Sequence, residues 1–305
     1  MLSKITIATR QSPLALWQAR FAQEKLQQVF PGLRCELLPM TTRGDRLLDV
    51  TLSKIGGKGL FLKELEQAML AGRADIAVHS MKDVPAQLPE DFVIGCVFER
   101  ADPSDALVSN TFSQLSDLPA GAVVGTSSLR RQAQLLRLRP DLNIRPLRGN
   151  VQTRLRKLDE GQYDAIVLAS AGLQRLGLSQ RIASRLSPPA WLPAVAQGAV
   201  GIECLAERSD IQDMLAVLND EATADCVSAE RAFNARLEGS CSVAIGALAE
   251  HGDAGLCLHG GVFAPDGSHA LMQQAAGDGD PNAVGEQLAD MLLRRGARDI
   301  LALSE

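Results

Sequence analysis

The order of apolar and polar residues alternates between two periods along the first two thirds of the chain. Short apolar runs at residues 4–9, 122–126 and Ala165–Ala169 predict buried strands. Between such runs, apolar residues recur at helical spacing, as Leu14, Trp17 and Phe21 do. Strands that alternate with helices are typical of α/β folds, so we expect α/β units here.

Capping residues and breakers mark the ends of these elements. Ser12 suits the N-cap of a first helix and Pro13 its first position, while Ser127 or Ser128 can cap a helix over Leu129–Leu138. The Pro-rich segment 187–193 breaks regular structure and indicates a domain crossover, and a strand over Val200–Leu205 is expected to return to the first sheet.

The last part of the chain has a different pattern. A long helical pattern over residues 222–237 is followed by two strands, at 243–249 and 256–263, and by a helix over 282–294. The sequence therefore predicts an α/β domain of residues 1–99 and 199–217, a second α/β domain of 104–193, and a small α+β domain of 220–305.

Composition is that of a water-soluble globular protein. Of the 305 residues, 46% are hydrophobic and 22% charged. The chain starts without an apolar leader pattern and has no stretch long enough to cross a membrane, so we expect neither signal peptide nor membrane span. Six scattered cysteines without C-x-x-C spacing and four dispersed histidines favour free thiols in a reducing cytoplasm and no metal site.

Charge is unevenly distributed. The net charge is −5, yet residues 126–157 hold eight arginines, one lysine and one acid. A basic segment in an acidic protein predicts a specific anionic ligand, although a solvated helix face is the plainer alternative. A nucleic-acid binder is disfavoured because no aromatic residues interleave with the arginines.

Polar and cationic residues follow several predicted strands. Carboxyl ends of parallel strands are where α/β sheets bind ligands, and helix N-termini there attract anions. Ordinary loops are also polar, so a single such junction would mean little. The residues at these junctions are Arg10, Ser12, Ser80, Lys82, Asp83, Thr126, Ser128 and Arg148.

Two of the arginines occupy an unfavourable position. Arg130 and Arg131 fall in the first turn of the predicted helix, where the helix dipole disfavours cations by a few tenths of a kcal/mol. A ligand carboxylate would reverse that penalty. Arg148, Arg154 and Arg175 could add further donors, so this region is predicted to bind carboxylates.

Three further features carry possible chemistry. Asp83 is either a turn residue or a carboxylate that stabilises positive charge and passes protons. Cys241 follows a helix in a Gly/Ser loop, where exposure favours a nucleophile or covalent anchor over a buried thiol. The glycine-rich segment with Lys54, Lys58 and Phe61 lacks Walker spacing and is better explained as a mobile lid.

Together these blocks resemble the porphobilinogen deaminase family. The blocks are IATRQSPLA at 7–15, KIGGKGLF at 54–61, HSMKDVP at 79–85, GTSSLRR at 125–131, RGNV at 148–151 and AQG at 196–198. Each block alone is weak, but in this order they span nearly the whole chain. The resemblance implies two type II periplasmic-binding-protein-like domains that enclose a cleft, plus a small α+β C-terminal domain.

The resemblance also implies the reaction and its residues. Four porphobilinogen molecules are joined, with loss of ammonia, on a dipyrromethane cofactor bound covalently to Cys241, and Asp83 is the catalytic residue. The expected partners are porphobilinogen and the growing polypyrrole chain, with no nucleic acid and no membrane, for a protein that is a monomer. The implied cofactor-binding residues are Ser80, Lys82, Thr126, Ser128, Arg130, Arg131, Arg148 and Arg154, and the implied substrate-binding residues are Arg10, Ser12, Arg148, Arg154, Arg175 and Gln197.

One departure and one rival interpretation stay open. Where the family commonly has Gln-Val-Pro after the cysteine, this chain has Ser242, Val243 and Ala244, which puts the loop's contacts to the cofactor in doubt. The rival is a non-catalytic solute-binding or effector-sensing module of the same fold, which would need no reactive cysteine.

Overall fold

The computed structural model describes residues 2–42, 62–239, 243–252 and 255–303. The chain divides into two compact units, here called unit 1 (Met1–Ala101 and Ala199–Ala224) and unit 2 (Asp102–Gly198 and Asp225–Glu305). The predicted division into three domains stays a prediction. Helices and strands are numbered below in chain order.

Unit 1 is built on one five-stranded sheet. Its order is β2-β1-β3-β10-β4, with β1 parallel to β2 and β3, and β10 antiparallel to both of its neighbours. The return of the chain to the first sheet through β10 is therefore confirmed. The strands are β1 (Lys4–Arg10), β2 (Arg34–Met40), β3 (Ile76–Ser80), β4 (Phe92–Val97) and β10 (Val200–Leu205), and the helices are α1 (Pro13–Val29), α2 (Lys63–Leu70) and α6 (Ser209–Ala216).

Local chemistry fixes the start of α1. The Ser12 side chain accepts a hydrogen bond from the backbone N–H of Ala15, and Pro13 occupies the first turn, as predicted. The buried stripe of α1 (Ala19, Ala22 and Leu26) joins the apolar side chains of the sheet in one core. This packing holds the N-terminus of α1 at the end of β1.

Unit 2 contains a second five-stranded sheet of similar plan. The order is β7-β6-β8-β5-β9, with β6 parallel to β7 and β8, and β5 antiparallel to β8 and β9. The strands are β5 (Asp105–Val108), β6 (Val123–Gly125), β7 (Asn143–Arg145), β8 (Ala165–Ala169) and β9 (Ser184–Leu186), and the helices are α3 (Leu129–Leu138), α4 (Val151–Asp159) and α5 (Ser170–Arg175).

A three-stranded antiparallel sheet follows in the C-terminal part, packed against helices in one apolar cluster. The sequence predicts two strands there, but the structure has three, because the last strand is a half-exposed edge of alanines and glutamines without a strong strand signal. The elements are α7 (Glu221–Arg236), β11 (Ile245–Gly252), β12 (Gly255–Phe263), β13 (Ala270–Gly277), α8 (Pro281–Arg294) and α9 (Ala297–Ala302).

The fold class predicted from the sequence is confirmed as far as each unit shows it: two mixed α/β sheets and a small α+β part. Within the described ranges, no helix combines the length and the apolar character that a membrane crossing requires.

Candidate active site

Four of the predicted residues of unit 1 line one pocket. Arg10 ends β1, Ser12 caps α1, Ser80 ends β3, and Asp83 follows three residues later. The parallel pairing of β1 with β3 brings their carboxyl ends to the same edge of the sheet. The pocket has a volume of about 60 Å³ and is also lined by Gln18, Leu62 and His79.

A short, anchored turn presents Asp83. The residues Met81–Asp83 form one turn of 3-10 helix, and the Met81 side chain is buried. The backbone N–H of Met81 donates to the carbonyl of Ala199, over 3.0 Å, and that of Val84 donates to the carbonyl of Met81. The Asp83 side chain is exposed and Lys82 is half-buried, so a fixed backbone holds the carboxylate at the pocket.

Gln18 supports the pocket from α1 and was not predicted. Its side-chain amide donates to the Ser80 hydroxyl over 2.8 Å and is 3% exposed. The sequence does carry a signal for it, since Gln18 is a polar residue on the buried stripe of an otherwise amphipathic helix.

In unit 2, two hydroxyl side chains that follow β6 accept hydrogen bonds from backbone N–H groups. Thr126 is buried, and its hydroxyl accepts a hydrogen bond from the Ser128 backbone N–H over 3.1 Å. Ser128 in turn caps α3 by accepting from the backbone N–H of Arg131. These bonds fix the first turn of α3, which carries Arg130 and Arg131.

Arg130 and Arg131, in the first turn of α3, both form ion pairs with the buried Asp105. Arg130 Nη1 lies 2.8 Å from Asp105 Oδ2, and Arg131 donates to Asp105 Oδ1 from Nη2 at 2.6 Å and from Nε at 3.1 Å. All three side chains are less than 10% exposed. Asp105 therefore already offsets the helix-dipole penalty within the fold, and the binding of a ligand carboxylate by these arginines stays a prediction.

Two more donors complete the shell around Asp105. Trp191 Nε1 donates to Oδ2 over 2.8 Å, and Gln197 Nε2 donates to Oδ1 over 2.9 Å. Burial by itself raises the pKa of Asp105, but the charges and hydrogen bonds of Arg130 and Arg131 outweigh burial and hold the pKa well below its usual range. One anion thus lies between two cations, and the first turn of α3 keeps a net positive charge.

Asp105 is a buried charge partner of the predicted arginines that the sequence did not reveal. It lies at the start of the buried strand β5, where an acid directly before a short apolar run is the available signal. Trp191 is predicted only as part of the crossover segment. Both residues pair across more than 20 positions of sequence, so no local spacing reveals the contact.

The remaining predicted site arginines of unit 2 occupy two places. Arg148 and Arg154 flank one loop, and Arg154 Nε donates to the carbonyl of Gly149 over 2.8 Å. Arg175 ends α5 and donates to the carbonyl of Gly198 over 2.6 Å, one residue from Gln197. Burial lowers the pKa of Arg175 to about 10. A ligand carboxylate would restore what this guanidinium loses in hydration.

Several predicted residues fall outside the described part of the chain. These are Lys54, Lys58 and Phe61 of the expected lid, and Cys241. Near the cysteine, Ala244 is buried in a cluster with Leu192 and Phe263, and the Phe263 N–H donates to its carbonyl over 3.0 Å. Alanine at this position is therefore a core residue.

Each unit, taken by itself, belongs to a recognisable class. Both are mixed α/β structures that hold cationic and hydroxyl side chains at the carboxyl ends of strands or at helix N-termini. Such positions suit small molecules that carry several negative charges. Among the described residues, no group of histidines, cysteines and acids is arranged to hold a metal ion.

Comparison with known proteins identifies the family. The family model "Porphobilinogen deaminase, dipyromethane cofactor binding domain" matches residues 5–213, and "Porphobilinogen deaminase, C-terminal domain" matches residues 224–294. The chain therefore belongs to the porphobilinogen deaminase family, as the sequence motifs predict.

Two curated relatives are named porphobilinogen deaminase. The Thiobacillus denitrificans protein is 57% identical over 298 residues, which is 97% of this chain and 97% of the relative. The Chromobacterium violaceum protein is 56% identical over 302 residues, which is 99% of this chain and 98% of the relative.

Solved structures with a similar fold have much lower identity. The methionine-binding protein MetQ matches with a TM-score of 0.45 and 14% identity, over 71% of this chain and 89% of its own. A nutrient-binding protein of Burkholderia cenocepacia, bound to methionine, matches with a TM-score of 0.44 and 16% identity, over 69% of this chain and 89% of its own.

The predicted activity and cofactor are confirmed by family membership. The protein is a transferase that condenses four porphobilinogen molecules, with loss of ammonia, into the linear tetrapyrrole hydroxymethylbilane, in tetrapyrrole biosynthesis. Its cofactor is dipyrromethane. The arginines of unit 2 fit this group, because guanidinium forks match the carboxylates that each pyrrole ring carries.

Proposed function

We propose that Asp83 is the catalytic carboxylate of the reaction. The observation that carries this proposal is its place in one pocket with Arg10, Ser12 and Ser80. An acid at the mouth of this pocket can stabilise positive charge that develops on a porphobilinogen ring when ammonia leaves, and can exchange a proton with it. Arg10 and the Ser12 hydroxyl supply donors for the carboxylates of the substrate.

The cationic side chains of unit 2 are assigned to ligand carboxylates in two groups. In this proposal Thr126, Ser128, Arg130 and Arg131 hold the cofactor. Ser80 and Lys82 of unit 1 are assigned to it as well. Arg148 and Arg154 serve both cofactor and substrate, and Arg175 and Gln197 serve the substrate. The hydrogen bond from Arg175 to the Gly198 carbonyl holds its guanidinium next to Gln197, which supports their common assignment.

Covalent attachment is assigned to Cys241. A thioether at this residue would keep the dipyrromethane in place while substrate-derived rings are added and released. The sequence around Cys241, a Gly/Ser loop after a helix, supports this assignment. Lys54, Lys58 and Phe61 are proposed to belong to a lid over the substrate.

Substitution of Asp83 tests the catalytic assignment. Asp83→Asn keeps the shape of the side chain and removes its charge, so we expect turnover to fall by at least about 100-fold while the melting temperature is unchanged. Ammonia release in a single turnover is the measurement. Asp91→Asn, an exposed aspartate of the same unit, is the matched control. Normal ammonia release by the Asp83 variant would remove this residue from the mechanism.

We also infer that the protein works as a monomer in the cytoplasm. The scattered thiols, none of them in C-x-x-C pairs, are compatible with a reducing compartment. Light scattering on the purified protein tests the monomer, and a mass of two chains at micromolar concentration would contradict it.

A further inference from the structure

A buried histidine and glutamate lie behind the Asp83 pocket. His79 on β3 and Glu203 on β10 are joined through Nε2 and Oε2 at 2.8 Å, with side chains 6% and 0% exposed. The two strands are antiparallel neighbours in which His79 is paired with Gly201 and Ala77 with Glu203. Both side chains therefore project from the same face of the sheet.

The glutamate is under-bonded for a buried acid. Within the described ranges, its second oxygen, Oε1, is fully buried and has no hydrogen-bond partner. A buried carboxylate oxygen without a donor costs stability, and among the described residues Glu203 is bonded through its other oxygen, to His79. An acceptor of this kind stabilises a positive charge on the group it does bind, which is the imidazole of His79.

A second acid, Glu66, interacts electrostatically with the pair. Burial and the charge of Glu203 raise the pKa of Glu66 on α2, while His79 acts in the opposite direction. Lys63 of α2 also acts on Glu66. The groups around His79 are thus two acids, Glu66 and Glu203, together with Arg10 and Asp83 of the pocket that His79 lines.

The second nitrogen of the imidazole, Nδ1, differs from Nε2 in its contacts. His79 lines the pocket together with Asp83, and in the described part of the chain its Nδ1 takes part in no hydrogen bond. A histidine with one nitrogen held by a carboxylate and the other uncommitted is arranged to accept and release a proton. No step assigned to Asp83 uses this nitrogen.

We propose that His79 is the base that removes the ring proton in each condensation, and that Glu203 is its positioning residue. The proposal rests on the assignment of catalysis to the Asp83 pocket. It adds a second group to that pocket with a separate role, because Asp83 acts where ammonia leaves and His79 acts where the new bond has formed.

Each condensation releases a proton from the accepting ring, and a base must take it up. A carbon–carbon bond forms at the free α-carbon of the accepting ring, and the C–H bond at that carbon then breaks. Its electron pair stays in the ring and restores aromaticity, while the proton passes to Nδ1 of His79. The aminomethyl group leaves as ammonia with the electron pair of the C–N bond, and the imidazolium returns its proton to ammonia or water. No oxidant or reductant is needed.

His79→Gln is the main test. The amide nitrogen of glutamine can keep the hydrogen bond to Glu203, but the side chain cannot accept a proton at neutral pH. We expect turnover to fall about 100-fold or more, with the ammonia burst of the first turnover retained. Porphobilinogen deuterated at its free α-carbon should show a primary isotope effect in this variant that is larger than in the native enzyme, because removal of the ring proton becomes rate-limiting.

A second variant, and two measurements that do not depend on turnover, distinguish a loss of catalysis from misfolding. Glu203→Gln keeps the imidazole and the shape of its partner, so a smaller loss of rate and a smaller isotope effect are expected. Intact mass should show that both variants retain dipyrromethane. In the native protein without substrate, ¹⁵N NMR should show the proton of neutral His79 on Nε2, facing Glu203. His269→Gln, an exposed histidine of unit 2, is the control.

The outcomes separate this proposal from the one about Asp83. Native turnover in His79→Gln overturns the role of His79 and leaves Asp83 untouched. A slow His79→Gln enzyme with no isotope effect, or with a lost ammonia burst, also overturns it, because the residue would then be structural or act in the earlier step. Normal ammonia release by Asp83→Asn would instead defeat the catalytic assignment of Asp83.

Discussion

The sharpest structural prediction concerns Asp105, the acid beneath Arg130 and Arg131. The substitution Asp105→Asn changes one oxygen to an amide nitrogen and leaves the volume of the side chain almost unchanged. In the native protein both carboxylate oxygens accept hydrogen bonds, Oδ1 from Arg131 and Gln197, and Oδ2 from Trp191. Whichever way the amide is oriented, its N–H₂ group must face a donor.

The size of the effect follows from burial. Asp105 is 0% exposed, and the substitution leaves two buried guanidinium groups without a balancing charge. Removal of one partner from a buried ion pair costs about 3–5 kcal/mol. The total free energy of unfolding of a domain is only about 5–15 kcal/mol, so this loss is a large part of it and we expect a much lower midpoint of urea unfolding.

Urea denaturation at 25 °C, followed by circular dichroism, measures this change. The pH dependence gives a second readout, because the pKa of Asp105 is lowered in the folded protein by Arg130 and Arg131, against the effect of burial. The stabilisation is then complete above the ordinary aspartate pKa of about 3.9 and is lost as the pH falls towards the lower folded-state value. The native protein should lose this contribution below about pH 4, and Asp105→Asn should not.

The matched control is a substitution at an exposed ion pair of the same unit. Asp141→Asn removes an exposed aspartate that also pairs with an arginine of unit 2, Arg139, at 2.7 Å. Solvent screens that pair, so its loss should have little effect on stability. If Asp105→Asn proved as stable as Asp141→Asn, the buried network would not carry the energy assigned to it, and Arg130 and Arg131 would be held by other contacts.

Two further predictions concern Gly149 and Cys241. Gly149 has φ of 109°, and a Cβ there would lie 2.6 Å from Thr153 Cγ2. Gly149→Ala should therefore lower the free energy of unfolding by about 1–3 kcal/mol, and should weaken substrate binding because Arg154, which is bonded to the Gly149 carbonyl, is displaced. Denaturation and KM are the measurements, and Gly161→Ala, at a positive φ with open space around it, is the control. Cys241→Ser should abolish retention of dipyrromethane, as measured by intact mass. Cys257 is a half-buried free thiol, and Cys257→Ser should retain the cofactor. An adduct that survives in Cys241→Ser would show that the cofactor is attached to another residue.

Elements with strong local signals are predictable here from sequence. Helix α3 has the predicted bounds, Leu129–Leu138, because a serine cap precedes it and its periodicity is helical throughout. The strand Ala165–Ala169 also has the predicted bounds, since a continuous apolar run between turns leaves few alternatives. By contrast, β5, β9 and β13 were not predicted. The strands β9 and β13 are half-exposed edges whose residues carry little β-propensity, and β5 is a buried strand of only four residues.

The same division applies to the candidate site. Motif positions and the parallel order of strands predict that Arg10, Ser12, Ser80 and Asp83 share one end of a sheet, and they line a common pocket. The partners of the buried charges are different. Asp105 meets Arg131 across 26 residues, and His79 meets Glu203 across 124.

The sequence by itself thus determined the kind of fold, the family and the residues that face the strand ends, since hydrophobic period, caps and motif spacing are local properties of the chain. Only the tertiary structure decided which acid balances which cation, and which nitrogen of His79 is left uncommitted. Charge pairing in a buried site depends on where distant strands come together, and burial makes the loss of one partner cost several times what it costs at the surface.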